Sequence, residues 1–221
     1  MAITHRAYKR TLDKGYASEW NDDHMINFRD YLMHVCDFFR GNLTDCYDIV
    51  GETPQVVIFT NHVFLKLETL ASTGSYSSVY HKFAGGSSPF LHPNDLPAAL
   101  FNIIFNSYYS QGIVAQFGFY SDSGMAYFEV KDSKVYAVTY DGTTWNVQLV
   151  SDAVTNGQYK IEFWSNKVKF FIEDMYEPKI TITQNIPTVA MRPFINAVSQ
   201  GNVKTILLVD AAGFMLRRRT S

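Results

Sequence analysis

From Gly51 onward the apolar residues of this chain fall in short alternating runs that end at turn residues. QVVIFT, HVFLKLETL and GIVAQFGFY are rich in β-branched and aromatic residues, and Ser-Asp-Ser-Gly closes the third. A meander follows. MAYFEV and KVYAVTY flank Asp132-Ser133, and Asp141-Gly142 leads into TWNVQLV. Asn156-Gly157 precedes QYKIEFW, Ser165-Asn166 joins that run to KVKFFI, and KITIT and VKTILLVD complete the series. Asp-Gly and Asn-Gly tolerate positive φ and favour tight hairpin turns. Many short strands at this spacing, with no helical period between them, predict an antiparallel β-sandwich or barrel rather than an α/β fold. AGGSSPFLHPNDLPAAL reads as a long loop entering a strand near Phe101.

The chain has another character before residue 50. Met25, Phe28, Leu32, Val35 and Phe39 are spaced 3, 4, 3 and 4 apart, the period of one helix face. Gly41 follows as a stop. The spacing predicts a helix over 22–40, capped by Asn21 or Asp22, with Trp20 packed on its first turn. Residues 1–16 show no period and read as an extended arm. Two segments result: an arm and docking helix at 1–49, and a β-sandwich at 50–221. Trp20, Met25, Phe28, Leu32, Val35 and Phe39 are expected to bury an assembly contact.

Alternation assigns faces to the strands. Tyr159, Ile161 and Phe163 share one side of QYKIEFW, and Lys160, Glu162 and Trp164 share the other. One face is core; the other is polar but carries aromatic rings.

Composition narrows the function classes. Hydrophobic residues make up 47% of the 221 and charged residues 18%, enough for a packed core. The formal net charge is −2, so no global field draws nucleic acid or an anionic membrane. There is no apolar run of spanning length, and the first residues contain no apolar signal core, so synthesis in a cytoplasm is expected. Arg217-Arg218-Arg219 reads as a solvated tail. Cys36 and Cys46 are too few for a disulfide framework, and two free thiols are expected, with a bridge between them left open.

The segments FGFYSDSGMAYFEV, KVYAVTYDG, NGQYKIEFWSNKVKFFIED, ITQNIP and ILLVD together resemble the concanavalin A-like lectin and glucanase sandwich. The form they resemble is the divergent one carried by structural proteins of phages and archaeal viruses. ASEWNDDH is similar to an EWNADH-type segment near the N-termini of many phage tail and virion proteins. The resemblance implies a mainly β chain, a concanavalin A-like jelly roll with an N-terminal arm and one helix. It also implies a non-enzymatic capsid, tail or spike component located in the virion, self-associating and bound to other virion proteins. A carbohydrate-binding module for host-surface glycans is the alternative, and a glycoside hydrolase the more distant one.

Candidate chemistry was weighed on that background. In EWNDDH, His24 has Phe28 at i+4 rather than a second ligand, so a cap fits better than a metal site. The glucanases of the resembled family carry Glu-x-Asp-x-(x)-Glu on one strand, all three side chains aimed into a cleft. The nearest match here is EDMYE, in which Glu173 and Asp174 have opposite parity and Glu177 precedes Pro178. No catalytic residue is expected from it. Lectins of this fold stack rings on pyranoses and often use calcium. Tyr136, Tyr140, Trp145 and Trp164 are the candidate contacts for a glycan or a protein, and Asp122 and Asp141 the candidate Ca²⁺ ligands. No other cofactor is implied.

Overall fold

The computed structural model describes residues 24–28, 31–37, 43–59, 62–82, 89–105 and 113–217. Among these residues sixteen strands form, in order β1 (His24–Phe28), β2 (Tyr31–Asp37), β3 (Tyr47–Gly51), β4 (Gln55–Phe59), β5 (His62–Glu68), β6 (Tyr76–His81), β7 (Ala98–Phe105) and β8 (Ile113–Ser121). They continue as β9 (Gly124–Lys131), β10 (Lys134–Tyr140), β11 (Trp145–Ser151), β12 (Gly157–Trp164), β13 (Lys167–Ile172), β14 (Ile180–Ile182), β15 (Arg192–Ser199) and β16 (Ile206–Arg217). Among the described residues, α1 (Leu43–Cys46) is the one α-helical stretch.

The first sheet runs β1-β2-β16-β7-β12-β13-β14, with β5 also on β16 and β4 on β5. The second runs β11-β10-β9-β8-β15-β6-β3. Every pair in both is antiparallel. The predicted sandwich is therefore the observed one.

The helix predicted over 22–40 is not. His24–Phe28 and Tyr31–Asp37 are strands, with Phe28 opposite Tyr31 and Met25 opposite His34. β2 then pairs with β16, Leu32 opposite Leu216 and Val35 opposite Gly213. A local period of three and four yields here to an available sheet edge, because β16 supplies partners for the backbone groups along all of β2. The boundary drawn at 49/50 falls inside β3. Trp20, Phe39 and the cap at Asn21 and Asp22 lie outside the described residues.

The core lies between the sheets and is aromatic. Tyr159 on β12 meets Phe105, Phe117 and Phe128 edge-on, with centroids 6.0, 5.1 and 5.2 Å away. Phe128 meets Phe170 of the facing sheet at 5.1 Å. The alternation read for QYKIEFW holds, since Tyr159, Ile161 and Phe163 join the core cluster and Lys160 does not, although it too is buried, over Phe171 on the other side of the sheet. The Tyr159 hydroxyl is satisfied by donating to the Thr155 carbonyl, so a tyrosine sits at the centre without an orphaned polar group.

Truncating Phe128 to alanine removes a fully buried ring and should cost about 3–5 kcal/mol. Urea unfolding of wild type and variant measures this. A loss no larger than that of a surface substitution would show that the sheets do not pack as described.

Candidate functional site: the outer face of the second sheet

Strand alternation gives the second sheet two populated faces. On β9, Ala126, Phe128 and Val130 join the core, so Met125, Tyr127 and Glu129 point outward. The ladder registers line up the outward residues of neighbouring strands in rows. One row reads Trp145, Tyr140, Met125, Tyr120, Arg192. The next reads Val147, Val138, Tyr127, Gly118, Phe194, Tyr80, Asp48. A third reads Leu149, Tyr136, Glu129, Gln116, Asn196, Ser78, Val50. Six strand spacings of about 4.8 Å make the face about 29 Å wide.

The middle row is an aromatic floor. Tyr127, Val138 and Phe194 are buried in a cluster separate from the core, flanked by half-buried Tyr80, Tyr120, Met125 and Tyr136. Phe194 meets Tyr127 edge-on at 5.8 Å and lies parallel to Tyr80 at 6.0 Å. Gly118 makes this packing possible. A Cβ there would come within 2.4 Å of the Ala126 carbonyl oxygen and 2.6 Å of the Tyr127 Cα, so any other residue would push β9 away. At the floor's far end the Arg192 guanidinium lies 4.7 Å over the Tyr80 ring and donates to Asp48.

The third row is polar and continuous. Ser78 Oγ donates to Asn196 Oδ1 (2.6 Å), Asn196 Nδ2 to Gln116 Oε1 (2.9 Å), and Gln116 Nε2 to Glu129 Oε2 (2.7 Å). One carboxylate oxygen is thus fixed by a chain crossing four strands. Rings beside hydrogen-bonding amides and a carboxylate are a combination that can take a pyranose: its apolar C–H faces would stack on the half-buried flanking rings, and its hydroxyls would bond to the polar row.

Three of the candidate aromatics converge here. Tyr136, Tyr140 and Trp145 share this face, with Tyr140 and Trp145 stacked at 4.3 Å and 20°. Trp164 does not join them. It lies on the outer side of the first sheet, its indole N–H donating to Glu162 Oε2 (3.3 Å), with Lys169 and Lys167 4.2 and 5.6 Å from its ring centre.

The candidate calcium ligands occupy two turns at one end of the face. Asp122 accepts the Tyr120 hydroxyl at 2.8 Å. Asp141 accepts from Thr143 N, Thr143 Oγ1 and Thr144 N, each at 2.8 Å, and from Asn185 Nδ2 at 3.1 Å. These bonds, led by the Thr144 amide, hold its carboxyl well below the usual range. Among the described residues no three potential ligands gather in one place.

EDMYE forms the loop after β13, as its parity and Pro178 implied, and Asp174 Oδ1 there accepts the Tyr176 and Glu177 amides. The carboxylate that the sequence reading missed is Glu129. The signal was present: in MAYFEV it shares the parity of Tyr127. The alternation Met125, Tyr127, Glu129 is the geometry a row of strand carboxylates needs, and one of its three positions carries a carboxylate.

No protein-family model matches the chain, and no curated protein does. Solved structures do. A β-1,3-1,4-glucanase (lichenase) from a mouse hindgut metagenome superposes with a TM-score of 0.61 at 12% identity, covering 82% of this chain and 98% of that one. The Bacillus licheniformis β-glucanase gives 0.60 at 12% identity, covering 85% and 99%. A Bacteroides ovatus glycoside hydrolase family 16 endo-glucanase gives 0.59 at 12%, covering 81% and 98%. The fold is the antiparallel concanavalin A-like jelly roll that these glucanases also have. This corrects the expectation of a non-enzymatic virion structural protein: these similar structures are polysaccharide-cleaving enzymes, and nothing found supports a viral origin.

Burial, and then the Asp122 charge that its hydroxyl meets, push the Tyr120 phenol up to about 12. A phenol whose pKa is higher folded than unfolded contributes stability that is present below about pH 10 and lost as pH rises toward 12. Thermal melts should hold level to about pH 10 and fall beyond it, less steeply in Tyr120→Phe. Absorbance titration at the phenolate band should show one late-ionising tyrosine fewer in that variant. Identical titrations would refute the assignment.

Proposed function

We propose that the protein is carbohydrate-active and holds a glycan chain against the outer face of its second sheet. The observation that carries this is the adjacency, in register, of the aromatic floor and the Ser78–Asn196–Gln116–Glu129 row. A chain lying across the strands would stack on Tyr120, Tyr136 and the Tyr140–Trp145 pair while its hydroxyls meet the amides. The similarity to β-glucanases suggests a β-glucan as ligand class.

Hydrolysis of the bound chain is the second reading, favoured by the same similarity. Glu129 is the group placed to take part: Gln116 holds one oxygen, and the other is left to face the ligand. As a carboxylic acid it would protonate the departing glycosidic oxygen. Two-carboxylate hydrolysis needs a partner about 5–5.5 Å away for retention or 6.5–9.5 Å for inversion. The outward neighbours of Glu129 are Gln116, Tyr127, Lys131 and Tyr136, none of them a carboxylate, so Glu129 supplies one of the two groups and binding stays the first reading.

One experiment separates the readings. Native electrophoresis in gels containing mixed-linkage β-1,3-1,4-glucan measures binding, and reducing-end release from the same polysaccharide measures cleavage. Wild type should be retarded. Tyr120→Ala and Tyr136→Ala should each weaken binding by about 1–3 kcal/mol, about 5- to 150-fold. Glu129→Gln should keep most of the retardation and abolish any sugar release. A wild type that migrates alike with and without every glucan tested would overturn the proposal.

A further inference from the structure

The strand at one end of the second sheet is unprotected. β11 pairs with β10 on one side, and among the described residues it has no strand on the other. Its sequence, WNVQLVS, has no charge and no proline. Its outward residues are apolar and open: Trp145 is 51% exposed, Val147 56% and Leu149 45%. Natural sheets guard such edges with charge, proline or brevity. The opposite edge of this sheet has such a guard, since Asp48 on β3 is ion-paired with Arg192. β11 presents instead three large apolar side chains next to unpaired backbone groups.

We propose that β11 pairs with β11 of a second copy of the chain, antiparallel, about a two-fold axis through Val147. Complementarity selects both the partner and the register. With Val147 opposite its own mate, Trp145 faces Leu149 and Asn146 faces Gln148, so apolar meets apolar and amide meets amide along the contact. Shifting the axis to Gln148 would keep Val147 against Leu149 but set Trp145 against Ser151 and Asn146 against Val150, losing two of the matched pairs. The absence of charge removes like-charge repulsion, which two copies of a charged edge would suffer. The irregularity in the β10–β11 ladder lies beyond Leu149, between the partners of Val135 and Tyr136, so Trp145–Leu149 remains regular enough to pair. The two second sheets would then form one sheet of fourteen strands, twice the seven in each, with both outer faces on the same side.

Light scattering of the full chain after size exclusion tests this. Wild type should run as a dimer at micromolar concentration. Val147→Lys puts two ammonium groups at the axis and should give a monomer with an unchanged far-ultraviolet spectrum and melt, since the side chain is exposed. The register has its own test. Residues opposite each other across strands have Cβ atoms about 4.5–5.5 Å apart, so Val147→Cys should give a covalent dimer on mild oxidation, well above the wild-type level. Leu149→Cys should do so only when mixed with Trp145→Cys. A monomeric wild type, or a dimer that Val147→Lys leaves intact, overturns the proposal. A dimer lost in Val147→Lys but cross-linked through Gln148→Cys rather than Val147→Cys overturns the register.

Discussion

The contact on which the rest depends is the packing of β12 against β8 and β9 through Tyr159. Its ring meets Phe117 and Phe128 from neighbouring strands of the facing sheet, and its hydroxyl is tied to Thr155. This fixes the height of the two strands whose opposite sides make the outer face. Since side chains alternate, Phe117 and Phe128 inside determine where Gly118 and Tyr127 stand outside. The floor of the candidate site is in effect the reverse side of the core. A sheet packed on both faces cannot slip by a single residue without exchanging the two sets, so core and site hold each other in register.

Much of this was legible in the sequence, for reasons that differ along the chain. The strands from β8 to β14 were readable because Asp-Gly, Asn-Gly and similar pairs mark their ends and one face of each is plainly apolar. β6 and β15 were not read as strands. In YSSVYH, Tyr76, Ser78 and Tyr80 share one side and Ser77, Val79 and His81 the other, and in RPFINAVS Phe194 and Asn196 share one side and Ile195 and Ser199 the other; each side mixes polar and apolar residues, so the usual alternation disappears. Their loss mattered, because Tyr80, Phe194, Ser78 and Asn196 come from them. Of the site's residues, Tyr136, Tyr140 and Trp145 were named from the sequence as rings that the resembled lectins could use. Glu129 stands alone in MAYFEV, whereas the dense carboxylates are in EDMYE, where no strand presents them. The segment 24–37 misled in the opposite way: its spacing suits a helix, and only the presence of β16, more than 170 residues later, decides for strands.

At 12% identity to the glucanases, what persists is the scheme of layers and alternation, which many side-chain sets satisfy. The chemistry of the face is set locally. Floor and polar row here are built from residues that hold each other: Gly118 admits Tyr127, Arg192 covers Tyr80, and Gln116 fixes Glu129. Such mutual support leaves these side chains little freedom to lose, which is what the proposed glycan contact would draw on.

The polar row also has a direction. Ser78, Asn196 and Gln116 each give a hydrogen to the next, and the sequence ends at an anion that can only accept. The orientations of both amides are therefore one shared choice, made by the charge on Glu129. The row therefore behaves as one part: replacing either amide by a side chain that cannot both give and accept would leave the orientation of the other unset, although the two stand on different strands.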